Sequence, residues 1–271
     1  MSTKIYYFSG TGNSLHVSRI LANMLPDCTL TPIIGTLKSA KRETRADAVG
    51  LVFPIYAFSI PEPVKQFLLS GKLPSASYIF AISTRKCSSK VFRYVNKILS
   101  KNWQSLDAYF SVEMAENYLP VFKMPSNDEI FYLEEKMLTK IESIKKDIVS
   151  GKKNRPKDSL LVTLFANTLF PLLTFLHHKT HYFNIDKSFF VEATCNGCKV
   201  CEEVCLGERI RMKDDKPEWD NKKECTFCFA CIQYCPCQAI QMKNRRTDRK
   251  GRYHHPEVTY KDIALQKVAA V

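Results

Sequence analysis

The cysteines constrain this chain more than any other feature, because eight of its eleven fall in two copies of one spacing. The first copy, CNGCKVCEEVC, spans 195–205, and the second, CTFCFACIQYC, spans 225–235. Each cysteine of the first copy recurs thirty positions later, so the two copies form an internal repeat. In a chain of 271 residues, such a repeat predicts a small metal-ligating domain beside a larger one.

Each copy reads C-x2-C-x2-C-x3-C, the run that ligates iron–sulfur clusters in bacterial proteins. Three thiolates spaced by two residues on a curled loop can each meet a different iron of a cubane cluster. We expect the fourth cysteine to begin a helix that points away from the loop and so to reach the other cluster. The spacing therefore predicts two [4Fe-4S] clusters with mixed ligand sets. One set is Cys195, Cys198, Cys201 and Cys235, and the other is Cys225, Cys228, Cys231 and Cys205.

Zinc and disulfides are the alternatives to clusters. Eight thiolates would suffice for two structural zinc ions. However, zinc sites usually pair two C-x2-C knuckles and do not need the three cysteines of a C-x2-C-x2-C run. The apolar run at the N-terminus is too short for a signal peptide, so we expect a cytoplasmic chain in which disulfides are rare. Three further cysteines lie outside the repeat and are predicted to be non-ligands: Cys28, Cys87 and Cys237.

Residues 188–242 resemble the two-cluster ferredoxins of bacteria. The stretch CPCQAI (235–240) is similar to the Cys-Pro ending of that family, which is followed by a short strand. Leu206 departs from the pattern, because a proline usually follows the fourth cysteine. The proline is not a ligand, so we expect cluster ligation to survive this departure with slightly shifted geometry.

A second motif follows the first apolar run. In YYFSGTGNSLHVSRI (6–20), glycines and hydroxyl residues lead from a short strand pattern into a helical pattern. Glycines let backbone amides approach a ligand, and a helix N-terminus favours an anion. The loop lacks the lysine of a Walker motif, and Leu15 stands where the dinucleotide fingerprint needs its third glycine. These features predict a cradle for a terminal monophosphate, with a plain turn and helix start as the alternative.

The stretch FSGTGNS (8–14), called the phosphate loop below, resembles the loop with which flavodoxins hold the phosphate of FMN. The resemblance implies that the flavin ring lies at the carboxyl ends of the strands. There Tyr56 or Phe58 would stack on it, or both are ordinary core aromatics. Arg85 and Lys86 stand where relatives often have glycines, so they would favour an anionic reduced flavin or block the pocket. The implied cofactor-binding residues are Ser9, Gly10, Thr11, Gly12, Asn13, Ser14, Pro54, Tyr56, Phe58, Ser83 and Thr84.

The patterns of the first 151 residues predict an α/β fold with a doubly wound parallel sheet. Strand-like and helix-like stretches alternate there, as they do in βαβ units. AVGLVFPIYAF (48–58) and SYIFAIST (77–84) are apolar runs typical of strands covered on both faces. Ser126 with Glu129 forms a capping-box pattern at the start of a last helix, and Gly151 is placed to stop it. The cysteine-rich region is predicted to be a small α+β domain.

The remaining segments suggest the domain organisation. We predict a flavodoxin-like domain at 1–151, a linker at 152–187, a ferredoxin domain at 188–245 and a tail at 246–271. Within the linker, a basic stretch precedes an uncharged apolar run at 159–176. This run is shorter than a membrane span, so we favour a buried connecting helix, with docking of 160–176 on a membrane surface as the alternative. We interpret His177, His178 and His181 as a solvated linker face.

The order of these parts is similar to that of the fused flavodoxin–ferredoxin proteins of anaerobic bacteria and archaea. The likeness includes the GRYHHPEVT tail (251–259), which is either a clamp across the domains or an ordinary extended terminus. The resemblance implies an electron-transfer protein that relays electrons between FMN and two clusters, to or from a redox partner. Two alternatives stay open: an FMN-dependent reductase of a small substrate fed by its own clusters, and a flavin-free ferredoxin with a docking domain.

The charge of the chain bears on its partners. The formal net charge is +13, and the sequence pI is about 9.2. No recognised nucleic-acid motif accompanies this excess, so we predict no nucleic-acid partner. The anionic cofactors would offset part of the charge, and the rest would steer an acidic redox partner.

Overall fold

The computed structural model describes residues 1–40, 45–56, 59–85, 90–156, 185–244 and 247–268. A five-stranded sheet with helices forms the first part of the molecule, and a smaller α+β region follows it. The predicted fold class is therefore confirmed. The apolar run 159–176, the three linker histidines, Phe58, Lys86 and Cys87 all lie outside the described residues.

The large sheet has the strand order β2-β1-β3-β4-β5, and all of its strand pairs are parallel. This is the flavodoxin-like order, in which the switch point lies between β1 and β3. The phosphate loop follows β1 and therefore lies at that switch point. The strands are β1 Thr3–Tyr7, β2 Cys28–Pro32, β3 Arg45–Phe53, β4 Ser75–Ser83 and β5 Ala108–Ser111.

In the described part of the chain, five helices accompany the sheet. The longest follows β5, and its N-cap is Ser126, whose hydroxyl accepts a hydrogen bond from Glu129 N at 3.3 Å. Gly151, just after its end, has a φ of +64°, which suits a residue that stops a helix. Both ends of this helix were predicted from the sequence. The helices are α1 Asn13–Met24, α2 Ile33–Lys38, α3 Glu62–Leu69, α4 Lys90–Leu99 and α5 Asn127–Val149.

The sequence expectations for the sheet need two corrections. The run 48–58 is not one strand, because β3 ends at Phe53 and is followed by Pro54. Tyr56 instead pairs with Ser59 in a tight bridge closed by backbone hydrogen bonds of 3.0 and 2.9 Å. Neither edge strand was predicted: most residues of β2 are only partly buried and show no apolar run, and β5 is only four residues long.

The cysteine-rich region contains two small antiparallel sheets and two single-turn helices. Asp214 and Asp215, both with positive φ, form the turn of one hairpin. The strand predicted after CPCQAI is present as β9. The elements are β6 Phe189–Val191, α6 Val200–Glu203, β7 Ile210–Lys213, β8 Lys216–Trp219, α7 Ala230–Gln233 and β9 Ile240–Met242.

The described part of the tail, 247–268, ends in helix α8, Tyr260–Leu265. Thr259 caps this helix in a reciprocal capping box with Asp262. The tail crosses from the cysteine-rich region back to the phosphate loop, so it is a clamp and not an ordinary extended terminus.

Two apolar cores hold the molecule together, and each draws on both parts of the chain. The core around the parallel sheet includes Val204, Leu206 and Tyr234 from the cysteine-rich region. The second core, around the cysteines, includes Leu119 and Leu133 from the first part. The two parts therefore bury apolar surface against each other, which favours one fixed arrangement.

Candidate phosphate loop and cluster-binding cysteines

The structure brings the first predicted set of thiols together. Burial and the nearby charges of the other three thiols of the set raise the pKa of Cys201 to about 12. Four thiols held this closely repel one another when ionised, and bound iron would relieve that repulsion. The members of this group are Cys195, Cys198, Cys201 and Cys235.

The second predicted set is also brought together. Burial raises the pKa of Cys228 to about 12, and the charges of Cys225 and Cys205 contribute. Burial also raises the pKa of Cys231, with contributions from Cys205, Cys228 and Cys225. The fourth cysteine of the first copy thus lies with the three leading cysteines of the second copy. That these groups ligate clusters remains a prediction.

The repeat extends to the backbone. Gly197 and Lys199 have φ values of +71° and +65°, and Phe227 and Phe229, thirty positions later, have +54° and +56°. Phenylalanine is disfavoured in this conformation, so the surrounding fold must hold it there. These left-handed residues curl each loop around its thiols. Only the first copy contains a glycine at these positions, so the sequence did not indicate the second pair.

The predicted position of the fourth cysteine relative to its helix is wrong. This cysteine was expected to begin a helix, yet α6 contains the third cysteine, Cys201, and ends at Glu203. The left-handed Lys199 starts the helix one residue before Val200. Cys205 therefore follows the helix, and the direction of the helix carries it away from its own loop.

Leu206, the departure from the Cys-Pro pattern, has a structural reason. Its side chain is 4% exposed and lies in the core around the parallel sheet. A leucine at this position anchors the cysteine-rich region to the first part of the chain, which a proline ring would do less well because it is shorter.

The phosphate loop has the backbone of an anion cradle. Gly12 adopts a φ of +102° just before α1, a conformation that suits glycine. Among the described residues, the backbone N–H groups of Gly10, Thr11 and Gly12 have no hydrogen-bond acceptor. These donors and the N-terminus of α1 fit a phosphate.

Several side chains of the loop bind protein groups instead. Asn117 Nδ2 donates a short hydrogen bond to Thr11 Oγ1, and Asn13 Nδ2 donates to the Ala115 carbonyl at 3.0 Å. Ser14 Oγ lies 2.8 Å from Thr84 Oγ1. The amides of Gly10, Thr11 and Gly12, more than the hydroxyls predicted from the sequence, are thus left without a protein partner among the described residues.

The ends of β3 and β4 reach the same edge of the sheet. Ser83 Oγ lies 3.1 Å from Ser111 Oγ, and Pro54 is half-buried after β3. Arg85 forms an ion pair with Glu116 at 3.2 Å, so that carboxylate offsets its charge. Tyr56 packs edge-on against Phe8 with ring centroids 6.2 Å apart. FMN contacts for these residues remain predictions.

The tail binds directly to the phosphate loop, which the sequence did not indicate. Tyr253 Oη donates to Asn13 Oδ1 at 2.7 Å, and His255 N donates to the Thr11 carbonyl at 2.8 Å. The buried amide of Gln266 accepts from Ser9 N at 2.9 Å and donates to Ser9 O at 2.8 Å. The tail therefore covers the loop and shields its backbone from water.

A cluster of two buried histidines and the half-buried Glu134 anchors the tail beside the loop. Glu134 Oε1 lies 2.6 Å from His16 Nε2, and Oε2 lies 3.3 Å from His255 Nε2. Burial would raise the pKa of Glu134, but the hydrogen bonds and charges of both histidines outweigh it and lower the pKa to about 2. Glu257 N donates to His255 Nδ1 at 3.2 Å, which places the proton of a neutral ring on Nε2.

The geometry of this cluster suits hydrogen bonds that hold the tail in place better than it suits a metal site. The His16 and His255 rings stack with centroids 3.8 Å apart and planes 22° apart. Because the two ring planes lie face to face, a single ion would have to sit out of the plane of at least one imidazole. The Nε2 proton of His255 also faces Glu134, where a metal would need a free lone pair.

Comparisons with known proteins agree with the cysteine pattern. Residues 187–236 match the family of 4Fe-4S dicluster domains. A ferredoxin of Methanothermococcus thermolithotrophicus is 35% identical over 51 residues, which are 18% of this chain and 85% of that protein. One component of an ion-translocating oxidoreductase complex of Methanosarcina acetivorans is 37% identical over 65 residues, 24% of each chain. The chain thus spans about a quarter of the length of this second relative.

Solved structures align with the first part of the chain. A flavodoxin from the domain Archaea is 12% identical, with a TM-score of 0.30, and the match covers 54% of this chain and 99% of that one. An FMN-dependent NADH-azoreductase from Bacillus anthracis is 11% identical, with a TM-score of 0.29, covering 55% and 99%.

The fold and the paired thiol groups define a ferredoxin-type iron–sulfur protein with an added α/β part. The chain belongs to the ferredoxin family, in the fused form that carries a flavodoxin-like domain ahead of a 4Fe-4S dicluster domain. Within the described part of the chain, no helix has both the length and the apolar character needed to cross a bilayer.

Proposed function

We propose that this protein is an electron carrier that holds FMN at the phosphate loop and two [4Fe-4S] clusters at its eight repeated cysteines. It exchanges electrons with a redox partner protein. One observation carries the proposal: a methyl group added to Gly10 of the loop would lie 2.7 Å from Cys228 Cβ. A predicted cluster ligand therefore packs directly against the predicted flavin site.

The residues present fit both groups. The free amides of Gly10, Thr11 and Gly12 and the start of α1 would hold the phosphate of FMN. The two thiol groups would each hold one cubane. Flavin exchanges electrons singly or in pairs, whereas each cubane carries one electron at a time.

The chain itself contributes position and shielding. The tail closes the phosphate loop through Tyr253, His255 and Gln266, and the shared cores fix the cysteine-rich region against it. Fixed carriers on one chain replace a diffusional encounter by an intramolecular one. The net charge of +13 favours an acidic partner surface.

Oxygen-free purification with iron, sulfide and flavin quantified per chain tests the proposal. We expect about eight irons and one FMN. Cys231→Ala should lose about four irons and keep the flavin, whereas Cys28→Ala, at a half-buried cysteine outside the repeat, should lose neither.

Other outcomes would contradict the proposal in distinct ways. Bound zinc would exclude the redox role, and the absence of flavin would indicate a ferredoxin with a docking domain. Oxidation of the reduced protein by a small substrate, without any protein partner, would indicate the reductase instead.

A further inference from the structure

We propose that the two clusters act in a fixed order, with an inner cluster next to the flavin and an outer cluster facing the redox partner. The inner cluster is the one held by Cys205, Cys225, Cys228 and Cys231. The outer cluster is the one held by Cys195, Cys198, Cys201 and Cys235. This inference rests on the proposed function and assigns a place in the electron path to each half of the repeat.

The inner position follows from Cys228. Of the eight repeated cysteines, all of which the structure describes, Cys228 is the one that packs against the core around the parallel sheet. A methyl group on Gly10 would meet Cys228 Cβ at 2.7 Å, the Cys228 carbonyl at 2.9 Å and Tyr56 Oη at 2.6 Å. The loop that wraps the inner cluster therefore touches the phosphate loop and the aromatic ring beside it.

The outer position follows from Cys198. It is the exposed member of the eight, and Cys195 beside it is half-buried. Their loop packs on the β7–β8 hairpin: Lys216 Nζ donates to the Cys195 carbonyl at 2.9 Å, and a methyl group on Gly197 would lie 3.1 Å from Asp215 Cβ. Neither contact involves the phosphate loop, and the exposed Cys198 brings this set to the protein surface.

The two groups meet between these positions. Cys201 of the outer set lies close enough to Cys231 of the inner set for their charges to interact, and the helices α6 and α7 that carry them pack together. Because tunnelling rates fall steeply with distance, an electron from the surface reaches the flavin fastest through both clusters in turn.

The electron balance is simple. When electrons enter the protein, a partner protein that donates one electron at a time is oxidised and the outer cluster is reduced. The electron then passes to the inner cluster and to the flavin, and no protein bond forms or breaks. Two such transfers, with protons taken from solvent, reduce FMN fully, and the reverse direction follows the same path.

Selective labelling of glycine with nitrogen-15 tests the order in the full-length, cluster-loaded protein, because four of the nine glycines lie at informative positions. A reduced cluster is paramagnetic and broadens nearby amide resonances. Gly10 and Gly207 report on the inner cluster, Gly197 reports on the outer cluster, and Gly71 lies in open space as a reference.

Two double variants then remove one cluster each, confirmed by loss of about four irons. In Cys195→Ala/Cys198→Ala, we expect Gly197 to sharpen and Gly10 to stay broad. In Cys225→Ala/Cys231→Ala, we expect Gly10 and Gly207 to sharpen and Gly197 to stay broad. If the second variant does not fold, the first still decides, because sharpening of Gly10 on loss of the outer cluster would overturn the order.

A kinetic measurement links the order to electron flow. Flavin reduction by a reduced ferredoxin donor should lose its fast phase in the Cys195→Ala/Cys198→Ala variant, while FMN remains bound. An unchanged fast phase would overturn the outer assignment. The resonance experiment needs no flavin, so failure of the cluster order is distinguishable from failure of the proposed FMN site.

Discussion

At the scale of single residues, Gly10 joins the two parts of the molecule. The contacts of an added methyl group, 2.6 Å from Tyr56 Oη and 2.7 Å from Cys228 Cβ, are shorter than real carbon contacts. Its φ is not in the left-handed region, so space alone requires glycine here. A second glycine of the loop, Gly12, needs both its φ of +102° and the space beside His255 and Val258.

Gly10→Ala should therefore lower the free energy of unfolding by about 1 to 3 kcal/mol through overpacking. It should also weaken FMN binding, because the loop must shift. Urea unfolding and FMN titration measure the two effects.

Gly71→Ala is the control for Gly10→Ala. A methyl group there meets nothing, and its φ of +66° adds backbone strain alone, so FMN affinity should not change. Unchanged stability and FMN affinity in Gly10→Ala would contradict the close packing of Gly10.

At the scale of elements, the tail decides how the phosphate loop is closed. Its last helix is tied to α1, where Arg19 forms a short ion pair with Asp262. Its extended part is tied to α5 through Glu134 and to α7 through Gln233, which accepts from Tyr253 N at 2.9 Å. One segment thus contacts elements from both parts of the chain.

The tail should also respond to pH. Burial lowers the pKa of His255, so the folded protein favours the neutral ring, which donates to Glu134. An unfolded histidine takes up a proton near pH 6.5. The stability that the neutral ring contributes is therefore present above about pH 6.5. It is lost as the pH falls through the pKa that His255 has in the folded protein. Glu134, with its pKa held at about 2, stays charged throughout this window.

Urea unfolding between about pH 8 and pH 5.5 measures this loss. We expect His255→Gln to flatten the pH dependence of the free energy of unfolding. The glutamine amide can still donate to Glu134 but does not titrate. His254→Gln, at an exposed position that stacks on Tyr234, is the control and should keep the slope. An equal slope in both variants would exclude His255 as the responsible group.

At the scale of the whole molecule, the two parts share their cores. Leu206 belongs to the cysteine-rich region by sequence, yet its side chain lies in the core around the parallel sheet. Leu133 of α5 does the reverse and lies in the core around the cysteines. Because the cores are shared, we expect the loss of either contact to destabilise both parts of the chain.

Leu206→Ala should lower the free energy of unfolding by about 2 to 5 kcal/mol, because it leaves a cavity at a buried site. Far-UV circular dichroism and cluster absorbance should report one common unfolding transition, which should come earlier than in the unchanged protein. The control, Leu265→Ala, removes a side chain that is 60% exposed and should change stability by about 0.5 kcal/mol or less. A variant in which cluster absorbance alone is lost early would contradict the shared core.

The sequence determined the features that depend on local spacing. Apolar periodicity indicated most strands and helices of the first part. The cysteine spacing predicted two groups of four thiols, and which cluster each thiol ligates stays a prediction. Features with weak local signals were missed: the two edge strands β2 and β5 and the left-handed Phe227 and Phe229.

Tertiary structure alone decided what surrounds the phosphate loop. Gln266 binds Ser9 across 257 positions, Tyr253 binds Asn13 across 240, and Cys228 lies against Gly10. A spacing pattern encodes neighbours within one element or one repeat. Contacts between distant segments instead depend on how the complementary surfaces of the folded parts pack, which no local pattern carries.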